Sequence, residues 1–238
     1  MTDQADELVH LERIAGQTLY AAGVSATSVR YSFQIFQRFI RGRTLLELGP
    51  AEGVMTALLA TLGLDLTLVE GSALFCQDLQ RRFPDAQVIH GLFEQVPVLG
   101  PFDNIVLGHV LEHVENPVGV LERVRGWLGP GGRVFATVPN ARSLHRQAAV
   151  SMGLLEFEEQ LNDLDRHHGH RRVYNPETFR RDFLRARLRL EACGGYWIKP
   201  LSNAQLEAGW SDEMMLAFMQ LGERYPDIAA ELYIVARA

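Results

Sequence analysis

Lysine is almost missing from this sequence: 22 of its 23 basic residues are arginine, and Lys199 stands alone. A codon bias would produce that pattern, yet arginine also grips carboxylates and phosphates in a two-pronged fork, so its distribution matters. Positive charge is also short overall. Against 29 acidic residues the formal net charge is −6, which excludes a strongly basic nucleic-acid binder. Cysteine occurs only at Cys76 and Cys193, with no metal-finger spacing. No apolar run approaches the roughly 18 residues of a membrane span, and no basic-then-apolar leader opens the chain, so cytoplasmic residence without membrane association is the expectation. Internal repeats, low-complexity tracts and linkers are lacking too. What remains is ordinary: 238 residues, 47% hydrophobic and 22% charged, enough for one large domain with a substantial core.

Residues 4–40 are helical in pattern. Within them Phe33, Phe36 and Ile40 share a stripe while Arg30, Gln34 and Arg38 lie off it, which describes an amphipathic helix packed on something larger or on a partner subunit. From Arg43 onward short apolar runs alternate with helical segments, the pattern of a parallel sheet covered on both faces. Strands are expected at 44–48, 66–69, 87–90, 104–107 and 132–138, with helices at about 54–62, 72–83 and 117–128. Gly129-Pro130-Gly131-Gly132 ends the last of these. A polar, helical segment over 140–187 follows, then strands at 188–201 and 231–236 around a helix near 211–224. The expected fold class is α/β: a doubly wound, seven-stranded Rossmann-like sheet with an N-terminal helical extension (1–40), a core (41–139), an inserted helical cap after strand five (140–187) and C-terminal strands and helix (188–238), all in one domain.

Glu47-Leu48-Gly49-Pro50-Ala51-Glu52-Gly53 ends the first strand and enters a helix, and its glycines let the backbone approach a ligand. Glu70 ends the second strand, where a carboxylate can accept both hydroxyls of a ribose. Together they point to a nucleoside-type cofactor. In a dinucleotide fingerprint the three glycine positions would fall on Gly49, Ala51 and Val54, so the third glycine is missing. Glu47 and Glu52 repel a pyrophosphate and suit a cationic ligand.

With Gly91-Leu92-Phe93-Glu94, Phe102-Asp103-Asn104-Ile105-Val106, Leu111-Glu112-His113-Val114 and Leu128-Gly129-Pro130-Gly131-Gly132, this pattern resembles the class I S-adenosylmethionine-dependent methyltransferases. It is most similar to the small-molecule branch, such as ubiquinone-type O-methyltransferases and sugar methyltransferases. The specific motifs cover residues 40–140. The resemblance implies S-adenosyl-L-methionine as cofactor. Glu47, Gly49, Ala51 and Gly53 would line its methionine part, Glu70 with Gly71 would hold the ribose, and Leu92, Phe93 and Glu94 would flank the adenine, with Gly108 also on the cofactor wall. Two positions depart from the family: Ala51 replaces the middle glycine, and Leu92 stands where an aspartate often binds the adenine amino group.

Methyl transfer is an in-line displacement, so alignment, exclusion of water and removal of a proton are what the protein supplies. His109, just past strand four, is the first candidate for general base, with His145 and His170 in the cap as alternatives. Residues 109–113 also spell H-x-x-E-H, a zinc-peptidase pattern, but the run follows a buried strand and meets Asn116-Pro117 three residues later, which is the wrong context. Between Arg142 and Arg189 lie ten arginines and seven acids, a local balance of +3 that leaves the rest of the chain near −9. Tyr31, His113, Arg142, Arg146, Arg172 and Tyr174 are candidate substrate contacts, whereas Arg180, Arg181, Arg185, Arg187 and Arg189 read as a solvated helix face. No metal is assigned, because no acidic or cysteine partner completes the run His167-His168-Gly169-His170. The resulting expectation is an enzyme, monomer or homodimer, methylating oxygen or nitrogen of a small, anionic or polyhydroxylated acceptor. A dinucleotide-dependent oxidoreductase or a non-catalytic cofactor-binding regulator remain the alternatives.

Overall fold

The structure is a computed structural model that describes residue 12 and residues 21–238. Most of the helical reading of residues 4–20 therefore lies outside the described residues. Helix α1 (Gly23–Phe36) is followed by β1 (Thr44–Leu48), α2 (Val54–Ala60), β2 (Asp65–Glu70), α3 (Ala73–Arg82), β3 (Gln87–His90), β4 (Phe102–Gly108), α4 (Pro117–Trp127) and β5 (Leu128–Pro139). The cap carries α5 (Leu144–Ser151), α6 (Asp163–His167) and α7 (Pro176–Arg185). Then come β6 (Arg189–Tyr196), α8 (Asn203–Glu207), α9 (Asp212–Arg224) and β7 (Glu231–Arg237).

The strands form one sheet in the order β3-β2-β1-β4-β5-β7-β6, parallel except for β7, which runs antiparallel to both neighbours. The chain reverses its direction of winding between β1 and β4, and at such a switch the loops diverge and open a crevice. Alternation along the strands feeds two cores. Leu46, Ile105 and Val134 face one side, where Val120 and Val124 of α4 and Phe179 and Phe183 of α7 pack. Leu45, Val106 and Phe135 face the other, against Phe36 of α1, Leu59 of α2 and Met219 of α9. Each such side chain taken fully out of water contributes about 1.5–3 kcal/mol, which is why strands buried on both faces read as continuous apolar runs. The stripe of Phe33, Phe36 and Ile40 packs on this second core, and Arg30, Gln34 and Arg38 are exposed as expected.

Two strand boundaries differ from the sequence reading by more than two residues. Strand β5 starts at Leu128 rather than residue 132, because the glycines permit close approach: a Cβ on Gly132 would sit 2.7 Å from the Phe102 carbonyl oxygen. Strand β6 stops at Tyr196 instead of reaching 201. Trp197 turns into the left-handed region (φ 72°), and the chain then bonds to the end of α9, with Trp197 N–H donating to the Met219 carbonyl (3.1 Å) and Ile198 N–H to that of Phe218 (2.8 Å). Elsewhere local signals hold. Asn116 and Asn175 cap α4 and α7, each followed by proline at the first helical position. No helix among the described residues is long and apolar enough to cross a membrane.

Candidate active site

The parallel strands all end at one edge of the sheet, and β7, being antiparallel, begins there with Glu231 opposite Pro139 of β5 and Tyr196 of β6. A cleft of about 810 Å³ lies along this edge, a volume in the range of sites for small organic ligands.

Its first half is made by the turns after β1, β2 and β3. Gly49 (φ 65°) and Gly53 (φ 71°) are left-handed, and a Cβ on Gly49 would lie 3.2 Å from Val110 and 3.4 Å from Phe93. Ala51, where the family has glycine, is also left-handed (φ 47°), a conformation costing roughly 1–2 kcal/mol for a side-chain-bearing residue. Its N–H donates to Glu70 Oε2 at 3.0 Å, and Ser72 N–H donates to Glu70 Oε1 at 2.9 Å. Each carboxylate oxygen retains lone-pair capacity for a hydroxyl, so the engaged Glu70 is a fixed acceptor fork. Burial raises its pKa, against the pull of these backbone donors. Glu47 is almost fully buried, accepts from Thr56 Oγ1 at 2.7 Å, and is pushed up to about 8, chiefly by burial and further by the Glu70 charge. A buried carboxyl of this kind becomes an anion most readily when a cation is placed against it. Gly71, Leu92, Phe93 and Glu94 complete this half, and the Phe93 carbonyl is fixed by Arg123 Nε at 3.0 Å. Backbone room at Gly49, a hydroxyl-accepting fork at Glu70, carboxyls beside the turn and an aromatic wall together fit S-adenosylmethionine.

The second half begins at Gly108 and His109. His109 adopts φ 55°, which turns its ring out of the strand line, and its Nδ1 lies 3.1 Å from Glu112 Oε1 while Nε2 lies 3.8 Å from Glu231 Oε2. Burial disfavours charge on the ring, yet Glu231 and Glu112 outweigh it and carry its pKa up to about 9. Glu112, fully buried, is kept below its ordinary range by the His109 contact despite the cost of burial. His113 lines the cleft and is lowered to about 4, mainly by burial, so it is a neutral imidazole. Residues 109–113 form a turn rather than a helix, so the spacing required by a zinc peptidase is absent.

Other candidates lie behind this wall. Arg172 donates to the carbonyls of Leu111 (2.8 Å), Glu115 (3.0 Å) and Val114, and the Arg171 N–H donates to the Glu112 carbonyl at 2.8 Å. The cap is thereby stapled to the turn after β4. Tyr174 donates to Asp182 Oδ2 at 3.1 Å, and Arg146 is buried against Asp165 at 3.0 Å. Arg142 pairs with Glu177 at 2.8 Å, and Tyr31 donates to Glu223 at 2.5 Å. His145 is lowered to about 3, mostly by burial, and then by Lys199 and Arg146. His170 stacks edge-on against His113, with ring centroids 4.8 Å apart. None of these residues except His113 is on the cleft wall; the cap instead supplies His168 and Arg171 there, and α1 supplies Val29 and Ser32. Val29 and Ser32 carried no motif, and His168 and Arg171 belonged to a histidine- and arginine-rich stretch that did not single them out; tertiary packing brings all four to the edge.

The comparisons agree with this geometry. Residues 26–192 match the family model described as a methyltransferase domain. Among curated protein sequences none matches. Solved structures with the same fold include the CcbJ methyltransferase from Streptomyces caelestis (TM-score 0.66, 15% identity, covering 96% of this chain and 97% of that one). Another is an S-adenosylmethionine-dependent methyltransferase from Mesorhizobium loti (0.64, 16%, 91% and 100%). A third is the Burkholderia thailandensis 1,6-didemethyltoxoflavin-N1-methyltransferase with its substrate and S-adenosylhomocysteine bound (0.63, 12%, 98% and 88%). With the family model spanning well over half of its length and the cleft built as described, the chain belongs to the methyltransferase-domain family and is a class I S-adenosylmethionine-dependent methyltransferase.

Proposed function

We propose that this enzyme methylates an oxygen or nitrogen of a small, anionic or polyhydroxylated acceptor, and that His109 takes the acceptor's proton. The carrying observation is the change of character along one cleft: Glu47, Glu52 and Glu70 line the end of β1 and β2, whereas His109, raised to about 9, and Arg171 line the end of β4 and the cap beside Glu115 and the neutral imidazole of His113. The bound cofactor supplies an electrophilic methyl group on a cationic sulfur. The carboxyls of the first half suit that cation, and the protonated His109 and the Arg171 guanidinium of the second suit a nucleophile of opposite charge. His109 stands at the junction, with Glu112 fixing its ring through Nδ1. The same carboxylates that hold it protonated make its neutral form a stronger base, which offsets part of the loss in neutral fraction, so turnover should rise with pH toward about 9.

The test is transfer of labelled methyl from S-adenosylmethionine into a metabolite extract, with mass identification of the product. A product bearing the new methyl on oxygen or nitrogen is expected, and labelling confined to carbon or to nucleic acid would overturn the reading. His109→Ala should lower kcat by about 10²–10⁴-fold, whereas unchanged turnover with losses in His145→Ala or His170→Ala would assign the proton to the cap.

A further inference from the structure

We propose that Glu112, His113 and His170 bind one divalent first-row transition cation just behind the cleft wall, where His113 alone of the three lines the cleft. Each offers one ligand atom, and the three lie within 4.8 Å of one another. Bonds near 2.1 Å would bring ligand atoms to roughly 3.4 Å apart, so the site closes with about an ångström of side-chain rotation. Glu112 and His113 sit in a turn, where such rotation is unhindered by a helical ladder. His170 is 57 positions further along the chain and is held beside them by the Arg171 N–H bond to the Glu112 carbonyl.

An independent observation points to a ligand. Glu112 is fully buried; Oε1 faces His109, but Oε2 has no hydrogen-bond partner among the described residues. An ionised oxygen enclosed in this way is costly unless something positive meets it. The surroundings of the two rings have the form of a metal's outer shell. Asp165 Oδ1 lies 3.5 Å from His170 Nδ1, near enough to become its acceptor though no hydrogen bond is formed there, and the Gly169 backbone lies against the His113 ring. Asp165 is itself held by Arg146 Nη1 (3.0 Å) and the Asn162 N–H (3.0 Å). Imidazoles that ligate metals carry an acceptor of this kind on their other nitrogen, which fixes the ring and strengthens the ligand. Two imidazoles and a carboxylate suit Zn²⁺, Co²⁺ or Fe²⁺ better than Mg²⁺ or Ca²⁺, which prefer all-oxygen sets. Three protein ligands leave a coordination position open, and His113 faces the cleft. An acceptor hydroxyl bound there would lose its proton more readily. That last role rests on the methyl-transfer reading, but the metal site does not.

The full chain, freed of metal by chelation, is titrated with Co²⁺ and followed by calorimetry and visible absorption. One equivalent with ligand-field bands, displaced by Zn²⁺, is expected. His170→Ala and Glu112→Gln should abolish that uptake, and Asp165→Asn should weaken it about 10–100-fold. Absence of stoichiometric uptake, or uptake untouched by His170→Ala and Glu112→Gln, would overturn the proposal. Binding of S-adenosylhomocysteine by each variant reports that it is folded; where one is not, the imidazole nitrogen resonances of the wild type decide. Zn²⁺ should shift those of His113 and His170, and resonances that stay in place reject the site. Loss of methyl transfer with Co²⁺ uptake intact would count against the proposed function alone.

Discussion

Glu47 is the residue where electrostatics should be easiest to read. Its carboxyl is raised to about 8, so below that pH the ligand-free site holds a neutral acid, while the cationic cofactor prefers the anion. Affinity for S-adenosylmethionine should therefore fall as pH drops below 8, by up to about tenfold per unit. Calorimetry on wild type and Glu47→Gln between pH 6 and 9 checks this, because the substitution should remove that part of the pH dependence. The linked effect on folding has the opposite sense. A carboxyl whose folded pKa is raised binds more protons when folded, so the ligand-free protein should lose stability as pH rises from about 4.5 toward 8. The placement of Glu47, Gly49, Gly53 and Glu70 around the cleft was legible in the sequence because each sits at or just after the end of its own strand. The grouping of Glu112, His113 and His170 was not, since no local pattern relates a turn after β4 to a residue in the cap.

Among the elements, the staple between the cap and the turn after β4 has the clearest energetic consequence. Arg172 was expected to touch substrate, yet its guanidinium bonds to three backbone carbonyls of residues 111–115. Arg172→Ala should destabilise the fold by about 1.5–3 kcal/mol, the worth of hydrogen bonds to a charged group. Arg172→Lys should recover little, because an ammonium lacks the planar fork. Thermal melts of both variants measure the difference. Strand and helix cores were readable from periodicity, but the ends of β5 and β6 were not. Gly129-Pro130-Gly131-Gly132 has the composition of a turn and becomes strand only because Phe102 lies close alongside. Tyr196-Trp197-Ile198 has the composition of a strand and leaves the sheet because α9 meets its backbone, with Gly222 leaving no room for a side chain between them.

For the whole molecule, cofactor binding and stability are linked by mass action. S-adenosylhomocysteine at one hundred times its Kd should add about 2.7 kcal/mol, which for a chain of this length raises Tm by roughly 5–10 °C. NAD should give no shift in the same thermal assay, and the reverse result would revive the oxidoreductase alternative. The whole-chain charge also reads differently once folded. Within the cap Arg142 is paired with Glu177, Arg146 with Asp165 and Arg172 with carbonyls, so the surplus of +3 rests on other arginines, among them the exposed Arg180, Arg181, Arg185, Arg187 and Arg189 and Arg171, which lines the cleft. The place of β7 carries a further consequence, for synthesis. It lies inside the sheet between β5 and β6, although it is the last strand in the chain. A nascent chain on the ribosome can pair β3, β2, β1, β4 and β5 as they emerge, but β6 has no strand to join until residues 231–237 arrive. The turns after β1, β2, β3 and β4 can thus be assembled before Glu231 is in place, whereas the carboxylate that faces His109 Nε2 arrives only with β7.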